Sequence, residues 1–186
     1  MSLFSTIFAT PAKRRIERAG FALYTQAVRA ARLPLYYAVW GVPDTLDGRF
    51  DLVGLFAAVL IRRLRTESKP GPALAQAVFD AMFADMDTNL REMGVSDMAV
   101  GKRVREMWEG FHGRAVAYEA ALSTDDEALL AEALARNVWR GSGAGGDGVG
   151  LARHIMVVQA RLAAQNLADL AAGRIEFPDP EGTQND

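Results

Sequence analysis

The 186-residue chain has no cysteine, which excludes disulfides, thiolate metal sites and cysteine nucleophiles. It has only two histidines, His112 and His154, so there is little material for a histidine-rich metal centre. Long apolar runs are also missing: the longest, Leu52 to Ile61, is roughly half of the ~20 residues a membrane span needs. No stretch alternates apolar and polar residues as a half-buried strand does, and no segment repeats. The N-terminus, MSLFSTIFATPAKRR, places apolar residues before charges, the reverse of a secretory signal. The expectation is a soluble protein of the cytoplasm, peripheral on the inner membrane at most, with an all-α fold and no implied cofactor.

What the chain does have is an uneven charge. Its net −2 combines ten Lys/Arg against four Asp/Glu in residues 1–65 with eleven against nineteen in the rest. A basic N-terminal part facing an acidic remainder can meet an anionic surface such as lipid headgroups, ribosomal RNA or an acidic partner; solvated helix faces give the same pattern. No basic-aromatic signature of DNA or RNA recognition accompanies it.

The helical periodicity divides the chain into about six segments of one compact domain, residues 11–175. A flexible apolar N-terminus, residues 1–10, precedes it and a disordered tail, residues 176–186, follows. Pro11 opens the first helix, which runs to about Arg32. An aromatic connection containing Tyr36 and Tyr37 follows, with Asp47-Gly48 as a turn signal. The pattern from Asp51 to Arg65 marks a buried central helix whose basic end suits the helix dipole. Pro72 opens the next helix, and Asp97 to Leu122 reads as another with a stripe of Val100, Val104, Met107, Phe111, Ala115, Tyr118 and Leu122. Thr124 and Glu127 match a capping box for a shorter helix to Trp139. A glycine-rich linker, 141–150, precedes a last helix to about Gly173.

The densest stretch is Phe83 to Asp97. At about 100° per residue, Ala75, Phe79, Met82, Phe83, Met86, Leu90 and Met93 share one apolar stripe. Asp85, Asn89 and Glu92 run along one edge; Asp80, Asp87 and Arg91 run along the other, with Asp87 and Arg91 spaced to pair. Gly94 offers a helix end and Ser96 a cap. Asp85, Asp87 and Glu92 have the oxygen ligands a hard cation takes, but Arg91 sits among them as a counterion, which favours a charged lattice locking two helices together. Glu109 and His112 match half of a di-iron motif yet point away from the stripe, and the glycines of 143–148 match GxGxxG without a preceding strand.

The sequence resembles the ubiquinol–cytochrome c chaperone family. The residues that carry the resemblance are Tyr36 to Asp51 (YYAVWGVPDTLDGRFD), Phe83 to Lys102 (FADMDTNLREMGVSDMAVGK), Gly113-Arg114, Tyr118 and Arg136-Asn137. It spans about residues 20–140. It implies an all-helical, non-enzymatic protein, here of bacterial type, that binds newly made cytochrome b or another bc1 subunit during assembly. In mitochondrial members it also implies a small partner at the ribosomal exit tunnel. It supplies no catalytic residues. Its motif positions are candidate client-contact or scaffold residues: Tyr37, Pro43, Asp44, Gly48, Arg49 and Asp51 in the first stretch. The second stretch adds Phe83, Asp85, Met86, Asp87, Arg91, Glu92, Met93, Gly94 and Lys102, with Arg114 and Tyr118 beyond it. The alternatives are a helical protein or enzyme acting on a quinone or lipid through Asp85, Asp87 and Glu92, and a structural subunit of a larger complex.

Overall fold

The computed structural model describes residues 10–140 and 148–180. The apolar segment 1–9, most of the glycine-rich linker with its GxGxxG match, and residues 181–186 lie outside the described residues. The helices are α1 (Pro11–Ala31), α2 (Pro34–Ala38), α3 (Leu46–Arg65), α4 (Gly71–Glu92), α5 (Asp97–Leu122), α6 (Glu127–Asn137), α7 (Gly148–Ala163) and α8 (Leu167–Ala171). The described residues contain no strand, as the lack of alternation predicts. None of the helices is long and apolar enough to cross a membrane.

Helix α3 lies at the centre, packed against α1, α4, α5 and α7, which is why its apolar residues point to every side. Leu52, Leu55, Phe56, Ala57, Leu60 and Leu64 are all fully buried. Helix α1 lies along α4, close enough that a Cβ on Gly20 would meet the Ala77 Cβ at 2.4 Å. Helices α6 and α7 pack on one another, with α5 beside α6.

Several boundaries depart from the periodicity, each for a local reason. Helix α3 starts at Leu46, because Thr45 Oγ1 accepts from the Gly48 N–H at 3.1 Å. Gly48 is therefore in the first turn, not in a loop: a Cβ there would lie 2.0 Å from the Pro43 carbonyl oxygen. The aromatic connection contains the single-turn helix α2, opened by Pro34. The cap of α6 is Asp126, whose Oδ1 accepts from Leu129 N at 2.9 Å; Thr124 instead bonds back to the carbonyls of Ala120 and Ala121. The last helix is two, because Asn166 caps α8 through Ala168 N at 2.8 Å. Glu176 and Phe177, placed in the tail by the sequence pattern, are held: Glu176 exchanges hydrogen bonds with Gln165, and the Phe177 ring meets Phe56 edge-on at 5.6 Å.

The basic end of α3 serves the fold. Arg62 donates to the Leu122 carbonyl, to Gln159 and to Glu119; Arg63 donates to the carbonyls of Leu162 and Gln165 and pairs with Glu67. These guanidiniums satisfy carbonyls at the C-terminal ends of α5 and α7, which have no helical partner of their own. They are thereby withdrawn from the basic surface expected of residues 1–65.

Candidate functional site

The first motif stretch forms a pinned loop between α2 and α3. Gly41 takes a left-handed φ of 67°, and its carbonyl accepts from Trp139 Nε1 at 2.7 Å. Val42 N donates to the Tyr36 carbonyl at 3.0 Å, and Tyr37 Oη donates to the Ala31 carbonyl at 2.9 Å. On the outer side Arg49 Nε donates to Asp44 Oδ1 at 2.6 Å, which holds the Asp44 carboxyl below the usual carboxylate range. Both are exposed. Tyr37, Asp44 and Arg49 line an open depression of about 570 Å³ together with Arg32, Pro34 and Ala38, and the exposed Val39 and Leu46 belong to the same segment.

Behind this loop is a charge network whose geometry the sequence motifs do not show. The Asp51 side chain is fully buried, with Arg114 Nη2 3.2 Å from Oδ1 and Arg140 Nη2 2.9 Å from Oδ2. Arg140 also reaches Asp47 at 3.4 Å. The Arg114 guanidinium lies over the Phe50 ring at 5.6 Å, a cation–π contact. The Asp51–Arg114 contact lacks hydrogen-bond alignment, so it acts as a Coulombic contact. Burial raises the Asp51 carboxyl above its ordinary range, and the hydrogen bond from Arg140 and the two positive charges only partly restore it. Tyr118 is buried beside this group, its hydroxyl pushed up by burial and drawn back by Arg114. Asp51, Arg114 and Tyr118 thus come from separate parts of the sequence to one place. Nothing in the sequence points to Arg140: it follows α6 at a φ of 51°, and no local pattern shows that it turns back to α3.

A second buried polar contact lies near the other side of α2. Tyr36 Oη and His154 Nε2 are 3.0 Å apart, inside a cage of Trp40 and Phe56. Burial lowers the His154 pKa to about 4, against a small opposing pull from Asp179. His154 is therefore a neutral core histidine. Glu109 and His112 are exposed, and His112 stacks on Trp108 at 5.5 Å.

The second motif stretch is the α4–α5 hairpin. Gly94 has φ +81°; its N–H meets the Arg91 carbonyl and the Val95 N–H meets the Leu90 carbonyl, the paired bonds of a Schellman end. Arg91 links Asp87 at 2.6 Å to Asp97 at the start of α5, so the expected bridge between two helices exists. It is half exposed, however, and smaller than expected. Asp85 takes no part: it accepts from Tyr24 Oη at 2.7 Å and ties α4 to α1. Glu92 is exposed without a hydrogen bond or ion pair among the described residues. Asp85 is taken up by Tyr24, Asp87 by Arg91, and Glu92 lies about two turns from Asp85 along the same edge, so among the described residues the three carboxylates do not form the acidic centre that the quinone or lipid alternative needs. Arg91→Ala is expected to leave the melting midpoint at its wild-type value, since an exposed pair is screened by water; a clearly lowered midpoint would show the bridge to be structural.

The apolar stripe of the hairpin divides in two. Met82, Met86 and Leu90 are core, while Phe83 and Phe79 are half-buried and meet Phe111 of α5 at about 6 Å between ring centres. From Asp97 to Gly110, α5 buries only Val100. Val104 and Met107 remain half-buried; Met93 is 57% exposed, Met98 96% and Trp108 43%. Lys102, also exposed, contacts Glu106 at 3.8 Å. Met98 was not singled out from sequence, because at the start of a helix its position gives no periodic signal.

A model of the family described as ubiquinol-cytochrome C chaperone matches residues 38–177. The chain is 25% identical over 126 residues to ubiquinol-cytochrome-c reductase complex assembly factor 1 of Xenopus laevis, covering 68% of this chain and 62% of that protein. The factor of the same name from Mus musculus is 24% identical over 119 residues, 64% of this chain and 40% of that one. The chain therefore spans under two thirds of the curated relatives' length. The crystal structure of the Cbp3 homolog from Brucella abortus is similar with a TM-score of 0.80 and 34% identity, over 89% of this chain and 92% of that one.

Proposed function

Since the chain belongs to the ubiquinol–cytochrome c chaperone family, we propose that it is a non-enzymatic assembly chaperone for the cytochrome bc1 complex. Its client in this reading is newly made cytochrome b, taken up on the cytoplasmic side of the membrane, where the ribosome that makes it is a further candidate partner. The observation that carries the proposal is the outward face of the α4–α5 hairpin. A protein that shelters an apolar segment needs an apolar surface that is exposed before the client arrives. Met93 and Met98 supply it with flexible, polarizable side chains that fit varied partners, and the exposed Trp108 adds area. The Schellman turn and the Phe79–Phe83–Phe111 cluster hold that face at a fixed angle to the core. The pinned 39–45 loop, with Asp51 behind it, is read as scaffold and its outer rim as a second contact.

The test is genetic. A strain lacking the gene is expected to lose bc1 content and cytochrome b absorbance, and wild-type chain restores both. A Met93→Asp/Met98→Asp variant with wild-type melting is expected not to restore them. Normal bc1 content in the deletion strain would sink the reading, and full restoration by the variant would move the client surface elsewhere.

A further inference from the structure

The chain has seven methionines and no cysteine, so no thiol competes with the thioethers for an oxidant. The fold sorts these methionines by access. Met82 is fully buried and Met86 is 4% exposed, both in the core. Met107 and Met156 are half-buried against it. Met93, 57% exposed, and Met98, 96% exposed, stand on either side of the Gly94 turn and belong to no core cluster. At both positions the backbone alone holds the fold. The Met93 N–H donates to the Asn89 carbonyl at 3.0 Å, and the N–H groups of Gly94 and Val95 close the turn at 2.9 and 3.0 Å. Met98 lies in the first turn of α5, ahead of Val100, the first residue of that helix to be buried. A change of polarity at these two side chains therefore leaves the hairpin standing. The same change at Met82 or Met86 would place a polar group in the core, and burial keeps oxidants from them.

We propose that Met93 and Met98 form a reversible oxidation site through which a peroxide switches off the apolar face of the α4–α5 hairpin. The switch rests on the reading of that face as the client surface. In each oxidation the thioether sulfur attacks one peroxide oxygen and the O–O bond breaks. The second oxygen leaves with the proton as water, so the sulfur is oxidised to the sulfoxide and the peroxide is reduced. The return takes two electrons from a dithiol through a methionine sulfoxide reductase, which yields the thioether, a disulfide and water. The sulfoxide is neutral, so the charge of the face does not change. Its oxygen is an acceptor that an apolar partner leaves unsatisfied. Each sulfoxide weakens the hold on such a partner about ten-fold or more, the factor that burying one methionine side chain contributes.

The purified full chain is treated with hydrogen peroxide and its methionines are mapped by mass spectrometry. Met93 and Met98 are expected to oxidise at least about ten-fold faster than Met82 and Met86, in line with their exposures. Melting by circular dichroism is expected to stay at the wild-type midpoint. The client is represented by a fluorescent helical peptide of about 20 leucines and alanines flanked by lysines, with binding read by anisotropy. The reduced chain binds it, the oxidised chain binds at least about ten-fold more weakly, and reductase with dithiothreitol restores the affinity. Because oxidation changes no charge, that loss reads the apolar contact. The affinity of Met93→Leu/Met98→Leu is expected to be the same before and after peroxide. Equal oxidation rates at all four methionines overturn the proposal, as does an equal loss of affinity in the leucine variant. Binding that survives oxidation of both methionines overturns the switch alone. A reduced chain that does not bind the peptide overturns the client face and the switch together.

Discussion

Asp51→Ala lowers the free energy of unfolding by about 3 kcal/mol, at the lower end of the range for removing one member of a buried ion pair. The carboxylate is fully buried between two guanidiniums, and the Arg114 side chain is only 17% exposed. Without Asp51 the Arg114 charge is left in the interior with only the Phe50 ring and the Tyr118 hydroxyl beside it. Arg140 is half exposed and returns to water, which is why the loss is not larger. The upward pKa shift of Asp51 shows that its partners do not fully offset its burial. The network is therefore a device for placing α3, α5 and the end of α6 relative to one another more than a source of stability. It follows that the double substitution Asp51→Leu/Arg114→Met, which removes both buried charges, loses less than the sum of its single substitutions. The check is urea denaturation of wild type, both singles and the double, followed by circular dichroism. Additive losses would show the two side chains to be uncoupled.

Between pH 6.5 and pH 4, protonation of His154 removes about 3 kcal/mol of stability. The sign follows from the direction of the shift. The unfolded histidine titrates near 6.5 and the folded one near 4, so in this window the unfolded chain holds a proton that the folded chain does not. Stability is therefore fully present above the unfolded value and drains as pH falls toward the folded one. The cause is burial: a positive ring would stand in the Tyr36, Trp40 and Phe56 cage. His154→Gln removes the titrating group. Carboxylates titrate in both proteins over this range, so the readout is the difference between the two unfolding curves. That difference is expected to shrink by about 3 kcal/mol from pH 7 to pH 4; parallel curves would contradict it.

The fold class and the α4–α5 turn were legible because both are written in local chemistry. A 3.6-residue period without alternation means helices. A glycine after an apolar stripe means a helix end with a left-handed residue. The same locality explains the failures at Gly48 and Thr124. Asp-Gly is a turn signal only until a Pro43 carbonyl closes over the glycine, and a capping box is outbid when Asp126 lies nearer to the free N–H groups. The family could be recognised from residues whose roles the sequence left open, among them Asp51, Arg114 and Tyr118.

By itself, then, the sequence determined an all-helical chain of this family, with a basic N-terminal part and a helix end at Gly94. Only the tertiary structure decided which charges are surface and which are scaffold. Arg62, Arg63 and Arg114 turn inward to carbonyls and to Asp51, while Arg14, Arg18, Arg29 and Arg32 stay outside. Met82 and Met86 go to the core and Met93 and Met98 to solvent. Burial and long-range pairing depend on the other elements that pack against a residue, and helical spacing carries no information about those.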